Sequence, residues 1–341
     1  MRKLNFAIVG LGMAVTPHAK SFVDLAGRVS VRHAFSPSAA RRQAFAAKFP
    51  FPLADSLDTI LKDKNVDAVS ILTPPNTHLE LVERCAAAGK HVLLEKPLEI
   101  TMERSRALVE VCRRAGVTLG VTLQHRFRPA ALRLKELLDS GALGAIAGAS
   151  TSMRLWRPQS YYDEPGRGTK ARDGGGVLLT QGIHTLDLML SLTGLPQEVT
   201  AFATTSTVHR METEDMVAGA LRFPNGALGT IDATTAAYPG FPERIELICE
   251  NATAVLAGTA LDVFWHDGRR DKVEPDSSPG GTGADPMAFP NDWHRALIAD
   301  FVAAVNERRA PRVSGAEALK VHMLIDALLR SSDERRPVAI S

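Results

Sequence analysis

Three cysteines, Cys85, Cys112 and Cys249, are too few and too widely spaced for a disulfide framework, and no CxxC pair is present to hold zinc. They read as buried filler, and no metal site is expected. An excess of charge of one sign is missing too. Forty Lys and Arg against 38 Asp and Glu leave a net charge of +2, and neither sign forms a run long enough to follow a phosphate backbone, which excludes nucleic acid as a partner. Arg335 and Arg336, next to Pro337, read as a solvated turn. No apolar run approaches the roughly 18 residues that cross a bilayer. The apolar stretch that opens the chain runs straight into glycines with no cleavage site of small residues. The expectation is a cytoplasmic protein with no membrane segment, opening on a buried strand.

What is present is ample apolar material: 45% hydrophobic and 23% charged residues rule out disorder. A length of 341 residues exceeds what one hydrophobic core usually serves, so two domains are expected. Up to about residue 121, short apolar runs (LNFAIV, VSVRHAF, DAVSIL, HVLL, VTLGV) alternate with helical stretches, the pattern of a parallel sheet with helices on its faces. Thr77 with Glu80 reads as a capping box and Gly89 as that helix's stop; Thr101 opens the next helix and Gly116 closes it. After about residue 145, strand-like runs follow one another: AIAGASTSMRL, EVTAFATTS, MVAGALRF, ALGTIDATT, RIELICE and ATAVLAG. FPNG and CEN mark tight turns between them. One helix is expected near 177–193 and two more near 292–308 and 315–331, with residues 274–290 as a surface loop. The fold class is therefore α/β: an N-terminal Rossmann dinucleotide-binding domain over 1–123. An α+β domain with a large, mostly antiparallel open sheet follows over 124–341, its C-terminal helix able to pack back on the first domain.

Directly after the first strand stands Gly10-Leu11-Gly12-Met13-Ala14-Val15. In a Rossmann turn the first glycine permits the bend and the second lets backbone approach a pyrophosphate seated on the helix N-terminus. The third small position is Val15, so the motif alone also fits an ordinary tight turn. The second strand ends in Ser36 without a carboxylate to bind a ribose hydroxyl, and Arg41 and Arg42 follow. These suit a 2′-phosphate, so NADP is preferred over NAD; a solvent-facing helix turn is the alternative for the two arginines. Lys96, in Glu95-Lys96-Pro97, ends a strand at the ligand-binding edge of the sheet, where it can handle a hydroxyl proton or simply pair with Glu95 on the surface. Pro97 fixes the backbone there, as a cis bond in one reading. His184 and Asp187 lie three apart on one helix face, an arrangement for an oriented acid–base imidazole or for a satisfied histidine in a helical interface.

These motifs, together with Thr73-Pro74-Pro75-Asn76-Thr77-His78 after the third strand and Gly174-Gly175-Gly176 leading to Gln181-Gly182-Ile183-His184, resemble the Gfo/Idh/MocA oxidoreductases along nearly the whole chain. The resemblance implies an NAD(P)-dependent enzyme that moves a hydride between nicotinamide and a secondary alcohol or ketone of a sugar, cyclitol or related polyol. It implies that Lys96 and His184 are catalytic, and that Gly10, Gly12, Met13, Ala14, Ser36, Arg41, Thr73, Pro74, Asn76, His78, Glu95, Lys96 and Pro97 meet the cofactor. Lys96, Arg126, Trp156, Arg157, Tyr161, Tyr162, Arg167, Thr180 and His184 would meet a hydroxylated small molecule, aromatic faces stacking on a ring and guanidinium groups binding its polar substituents. An interface patch or a buried aromatic cluster is the other reading of the Trp, Tyr and Arg residues. Thr180 departs from the aspartate that many relatives carry four residues before the histidine, and a threonine cannot take a proton at neutral pH. The segment from Arg167 to Leu188 also resembles nucleotide-sugar 3-dehydrogenases. A non-catalytic dinucleotide sensor on the same scaffold, or a lyase or glycosidase that uses its cofactor transiently, are further alternatives. The open sheet is expected to pair with its copy, giving a homodimer or homotetramer.

Overall fold

The computed structural model describes residues 2–276 and 290–340. The chain divides into two compact units, one formed by Met1–Leu123 with Pro290–Leu319, the other by Gln124–Phe289 with Lys320–Ser341. The sequence places residues 124–341 in the second domain, with its C-terminal helix able to pack back on the first. Pro290–Leu319 instead belongs to the first unit because its helix, Asp292–Glu307, presents Phe301 to that unit's core: the ring lies 5.9 Å from Phe6, which in turn lies 5.0 Å from Phe22. Burying such a ring contributes about 2–3 kcal/mol. Most of the loop expected at 274–290 lies outside the described residues.

In the first unit, β1 (Leu4–Val9), β2 (Val29–Phe35), β3 (Ala68–Ile71), β4 (His91–Leu94) and β5 (Leu119–Val121) form a parallel sheet in the order β2-β1-β3-β4-β5. Strands buried on both faces read as continuous apolar runs, and β3, fully buried, is AVSI. The order reverses between β1 and β3, and open α/β sheets bind ligands at such a switch, outside the carboxyl ends of the strands. Helix punctuation is mostly as the sequence implies. Thr101 accepts the Arg104 N–H as N-cap, and Gly116 closes the same helix in the left-handed region, φ +66°. The capping box at Thr77 does not form. Its hydroxyl turns back to Thr73 Oγ1 and the Pro74 carbonyl, both at 2.8 Å, and Glu80 pairs with Arg104.

The second unit is built on a nine-stranded sheet of β6 (Ile146–Arg154), β7 (Glu198–Thr204), β8 (Met216–Arg222), β9 (Leu228–Thr234), β10 (Arg244–Cys249), β11 (Ala252–Ala257), β12 (Ala260–Trp265), β13 (Arg270–Val273) and β14 (Val338–Ala339). Its order is β13-β12-β11-β10-β6-β9-β8-β7-β14, antiparallel throughout except for the parallel pair β6–β9. FPNG is the β8–β9 turn, with Gly226 at φ +88°, and CEN joins β10 to β11. The helix expected over 177–193 is two: Val177–Thr180 and Ile183–Thr193, interrupted at Gln181-Gly182. Thr180 and His184 thus stand on either side of a break. No helix among the described residues is long and apolar enough to cross a membrane.

Candidate functional site

The dinucleotide seat lies in the first unit, at the switch point. Gly10 has φ +103°, and a Cβ there would stand 2.6 Å from the Leu72 backbone, so only glycine lets the turn after β1 pack against the end of β3. Over Gly12 the nearest atom to such a Cβ is Arg41 Nη1 at 3.9 Å, which leaves room for a bulky anion. Ala14 precedes the Val15–Asp24 helix with no side-chain cap and no acidic residue in the first turn, so no carboxylate competes for an anion at this helix start. Met13 beside it is exposed. An open glycine with a guanidinium over it and an uncapped helix end fit a dinucleotide pyrophosphate and its ribose.

Ser36 directly follows β2 and is buried. The two arginines that follow divide the work: Arg42 donates to the Ser36 carbonyl at 2.6 Å and braces the turn, while Arg41 reaches over Gly12. On the other side of β1, Pro74 and Asn76 are exposed and Thr73 is half-buried. His78 behaves differently from the cofactor contact expected of it. Fully buried, it sets Nε2 2.9 Å from the Thr73 carbonyl and Nδ1 3.0 and 3.1 Å from those of Pro97 and Leu98. Burial holds its pKa below the ordinary histidine value, against the pull of those carbonyls. It ties the loop after β3 to the loop after β4.

That second loop carries Glu95, Lys96 and Pro97, with the Lys96–Pro97 peptide cis. Glu95 Oε1 accepts from His18 Nε2 at 2.6 Å, and Oε2 accepts the backbone N–H of Lys96 at 3.1 Å. Burial alone would raise the Glu95 pKa; the hydrogen bond from His18 and the nearby Lys96 charge outweigh it and hold the carboxyl below its usual range.

In the second unit, the close-packed glycine run places Thr180 and His184. A Cβ on Gly176 would fall 1.7 Å from the Glu214 carbonyl oxygen, and the Glu214 side chain accepts the Gly176 N–H at 2.9 Å. Burial raises the Glu214 pKa, opposed by these backbone donors. Thr180 directs its hydroxyl to the Gly176 carbonyl, at 2.7 Å, and to Gln181 Oε1. His184, half-buried, stacks on His125 with centroids 4.8 Å apart and an interplanar angle of 28°. Arg128 donates to His125 Nε2 at 2.7 Å. An imidazole nitrogen that accepts carries no proton, so His125 is neutral.

Two expected substrate residues are engaged elsewhere. Arg126, buried, grips both oxygens of buried Asp187 through Nε and Nη2 at 2.7 and 2.6 Å, so the carboxylate expected to orient His184 serves a guanidinium. Tyr162 is buried with its hydroxyl 2.7 Å from Thr235 Oγ1, and burial raises its pKa. The others form a polar cluster. Arg167 donates to the Tyr161 hydroxyl at 2.8 Å, with its guanidinium 4.2 Å from that ring's centroid, and Gln181 reaches the same hydroxyl at 3.3 Å. Buried Arg157 donates to the Trp156 carbonyl at 2.7 Å, and burial lowers its pKa. Trp156 meets Tyr238 edge-on at 5.5 Å. The sequence reading missed His18, His125, Arg128 and Glu214. His18 left a signal, a polar residue on the apolar stripe of Val15, Ala19 and Phe22; Glu214 depends on a partner remote in sequence, Gly176, whereas His125 and Arg128 stand three residues apart.

Two family models match: the NAD-binding Rossmann fold of the oxidoreductase family over residues 4–123, and the GFO/IDH/MocA C-terminal domain over 131–255. The chain belongs to the Gfo/Idh/MocA family. It is an oxidoreductase that uses NAD or NADP and acts on CH–OH groups. It is 28% identical over 350 residues to an inositol 2-dehydrogenase of Rhizobium meliloti, covering 99% of each chain. With a myo-inositol 2-dehydrogenase of Thermotoga maritima it shares 29% identity over 290 residues, 82% of each. Among solved structures, the WlbA dehydrogenase of Bordetella pertussis, in complex with NADH and UDP-GlcNAcA, superposes with a TM-score of 0.84 at 28% identity, over 100% of this chain and 99% of that one.

Proposed function

We propose that this protein transfers a hydride between NADP or NAD and a secondary alcohol or ketone of a sugar, cyclitol or related polyol, with Lys96 and His184 exchanging the hydroxyl proton. The observation that carries the reading is the placement of Lys96: it follows β4 at the carboxyl edge of the parallel sheet, and its loop is pinned by His18 through Glu95 and by His78. The bound nicotinamide supplies or accepts the hydride. The chain's own residues do the rest. Gly10, Gly12 and the helix start hold the pyrophosphate, Arg41 favours a 2′-phosphate, and Lys96 takes the proton as the alcohol is oxidised. Thr180, its hydroxyl spent on Gly176 and Gln181, takes no part in proton transfer. The inositol dehydrogenases among the relatives support a polyol substrate.

A second reading is a nucleotide-sugar 3-dehydrogenase. The full-length likeness to the WlbA dehydrogenase favours it. Screening sugars, cyclitols and nucleotide sugars for reduction of NADP and NAD separates the readings, since turnover confined to nucleotide sugars selects the second. Cofactor binding with no turnover on any of them would support a non-catalytic sensor.

The nine-stranded sheet is also the proposed contact between copies. Its outward face carries Phe202, Leu228 and Ile248, exposed by 76%, 60% and 56%, among small residues such as Ala218 and Ala220. Light scattering should find a closed dimer or tetramer; a particle of 36.7 kDa, one chain, would leave the face without a partner. Three free, buried thiols suit the reducing cytoplasm as its location.

A further inference from the structure

The Val15–Asp24 helix buries two polar side chains that holding a dinucleotide does not call for. Ser21 satisfies its hydroxyl on the Pro17 carbonyl at 2.7 Å. His18 leaves its own element, donating to Glu95 Oε1 at 2.6 Å, while the other oxygen of that carboxylate receives the Lys96 backbone N–H. A continuous path therefore runs from the helix whose first turn receives the pyrophosphate to the backbone of the lysine. His294, on the Asp292–Glu307 helix, closes the cluster. Its ring meets His18 edge-on at 5.1 Å, and burial, with the neighbouring His18, pushes its pKa down to about 3, so it brings no charge of its own. The other charged groups on these two helices lie outside the cluster: Arg295 pairs with Asp24 and Asp292, Asp300 and Glu307 pair with Arg309, and Lys20 is exposed.

Two histidines and a glutamate whose donor atoms lie within 4.8 Å of one another have the composition of a metal site. The geometry is that of a hydrogen bond. Two ligands on one tetrahedral zinc stand roughly 3.3 Å apart, given bonds of about 2.0–2.1 Å, and His18 Nε2 and Glu95 Oε1 are closer than that. A metal-bound imidazole also donates its second nitrogen to an acceptor, whereas Nδ1 of His18 has no partner among the described residues.

We propose that His18 is a positioning residue for Lys96: through Glu95 it fixes the lysine backbone to the cofactor-bearing helix and keeps a carboxylate anion beside the lysine. The proposal rests on the reading of Lys96 as the proton-handling group. Without the His18 donor, Glu95 loses the contact that keeps it ionised while buried, and it takes up a proton. The negative charge next to Lys96 then disappears. Its ammonium gives up a proton more readily, so the limb of the pH–rate profile that reports the neutral, base-competent lysine in alcohol oxidation moves to lower pH.

The test measures pH profiles of kcat, dinucleotide Kd and thermal stability for the wild type and for His18→Leu, His18→Gln, Glu95→Gln and Lys96→Ala. His18→Leu should lower kcat by about tenfold with cofactor Kd changed by less than about threefold, and should shift the limb to lower pH. Glu95→Gln should reproduce the shift, and it decides the matter if His18→Leu fails to fold. His18→Gln, whose amide Nε2 stands where the imidazole Nε2 stood, should restore the limb and bring kcat to within about threefold of wild type. A wild-type profile in both His18→Leu and Glu95→Gln overturns the proposal, as does a stoichiometric metal in the purified protein that the His18 variants lose. Lys96→Ala keeps the two ideas apart: full activity there defeats the reading of Lys96, whereas its loss beside an unmoved limb in the other variants defeats only the role of His18.

Discussion

The two units carry their functional groups in different ways. In the Rossmann unit the candidate residues sit on loops at the carboxyl ends of β1, β3 and β4, and backbone does much of the work: Gly10 packs on Leu72, the helix end at Ala14 is uncapped, and Glu95 accepts the Lys96 N–H. In the sheet-bearing unit the candidates are side chains held by other side chains: Arg126 by Asp187, His125 by Arg128, Tyr161 by Arg167 and Gln181. A site made of strand, turn and helix end tolerates changes of side chain away from its few contact points. A site made of buried polar pairs does not, because removing one member strands the other.

The largest expected effect breaks such a pair. Arg126→Met leaves Asp187 buried without its guanidinium and should cost about 3–5 kcal/mol of stability, read as a fall in Tm or in the denaturant midpoint. If Arg126 were instead a substrate contact, KM would rise while Tm stayed put, and the contrast between the units would lose its main support. A smaller effect is expected in the Rossmann unit. Ser36→Asp puts a carboxylate at the end of β2 and should move the ratio of NAD to NADP affinity by roughly tenfold or more toward NAD with little change in Tm. Unchanged preference would remove Ser36 and its arginines from cofactor selection.

The same contrast explains what the sequence made legible. The parallel sheet, the glycine turn and the Glu95-Lys96-Pro97 loop follow local rules, in which an apolar run ends, a glycine bends and a helix begins, so they stand in the sequence in order. Nothing local links Arg126 to Asp187, 61 residues away, and that pairing takes its meaning only from the fold. His78 misled for a related reason: an exposed-looking TPPNTH motif hides a fully buried ring set among three backbone carbonyls. The break at Gln181-Gly182 was invisible to an apolar pattern that runs through it. In the sheet, β13 is the polar RDKV and β14 is two residues long; both are paired by their neighbours rather than announced by composition.

Lys96→Ala tests the central claim most directly. The variant deletes the ammonium and leaves the glycine turn, Arg41 and the Glu95 carboxylate in place. On any hydroxylated substrate that the wild type oxidises, kcat should fall by about a hundredfold or more, while NADP and NAD titrations and Tm remain close to wild type. Near-normal turnover in that variant would contradict the account.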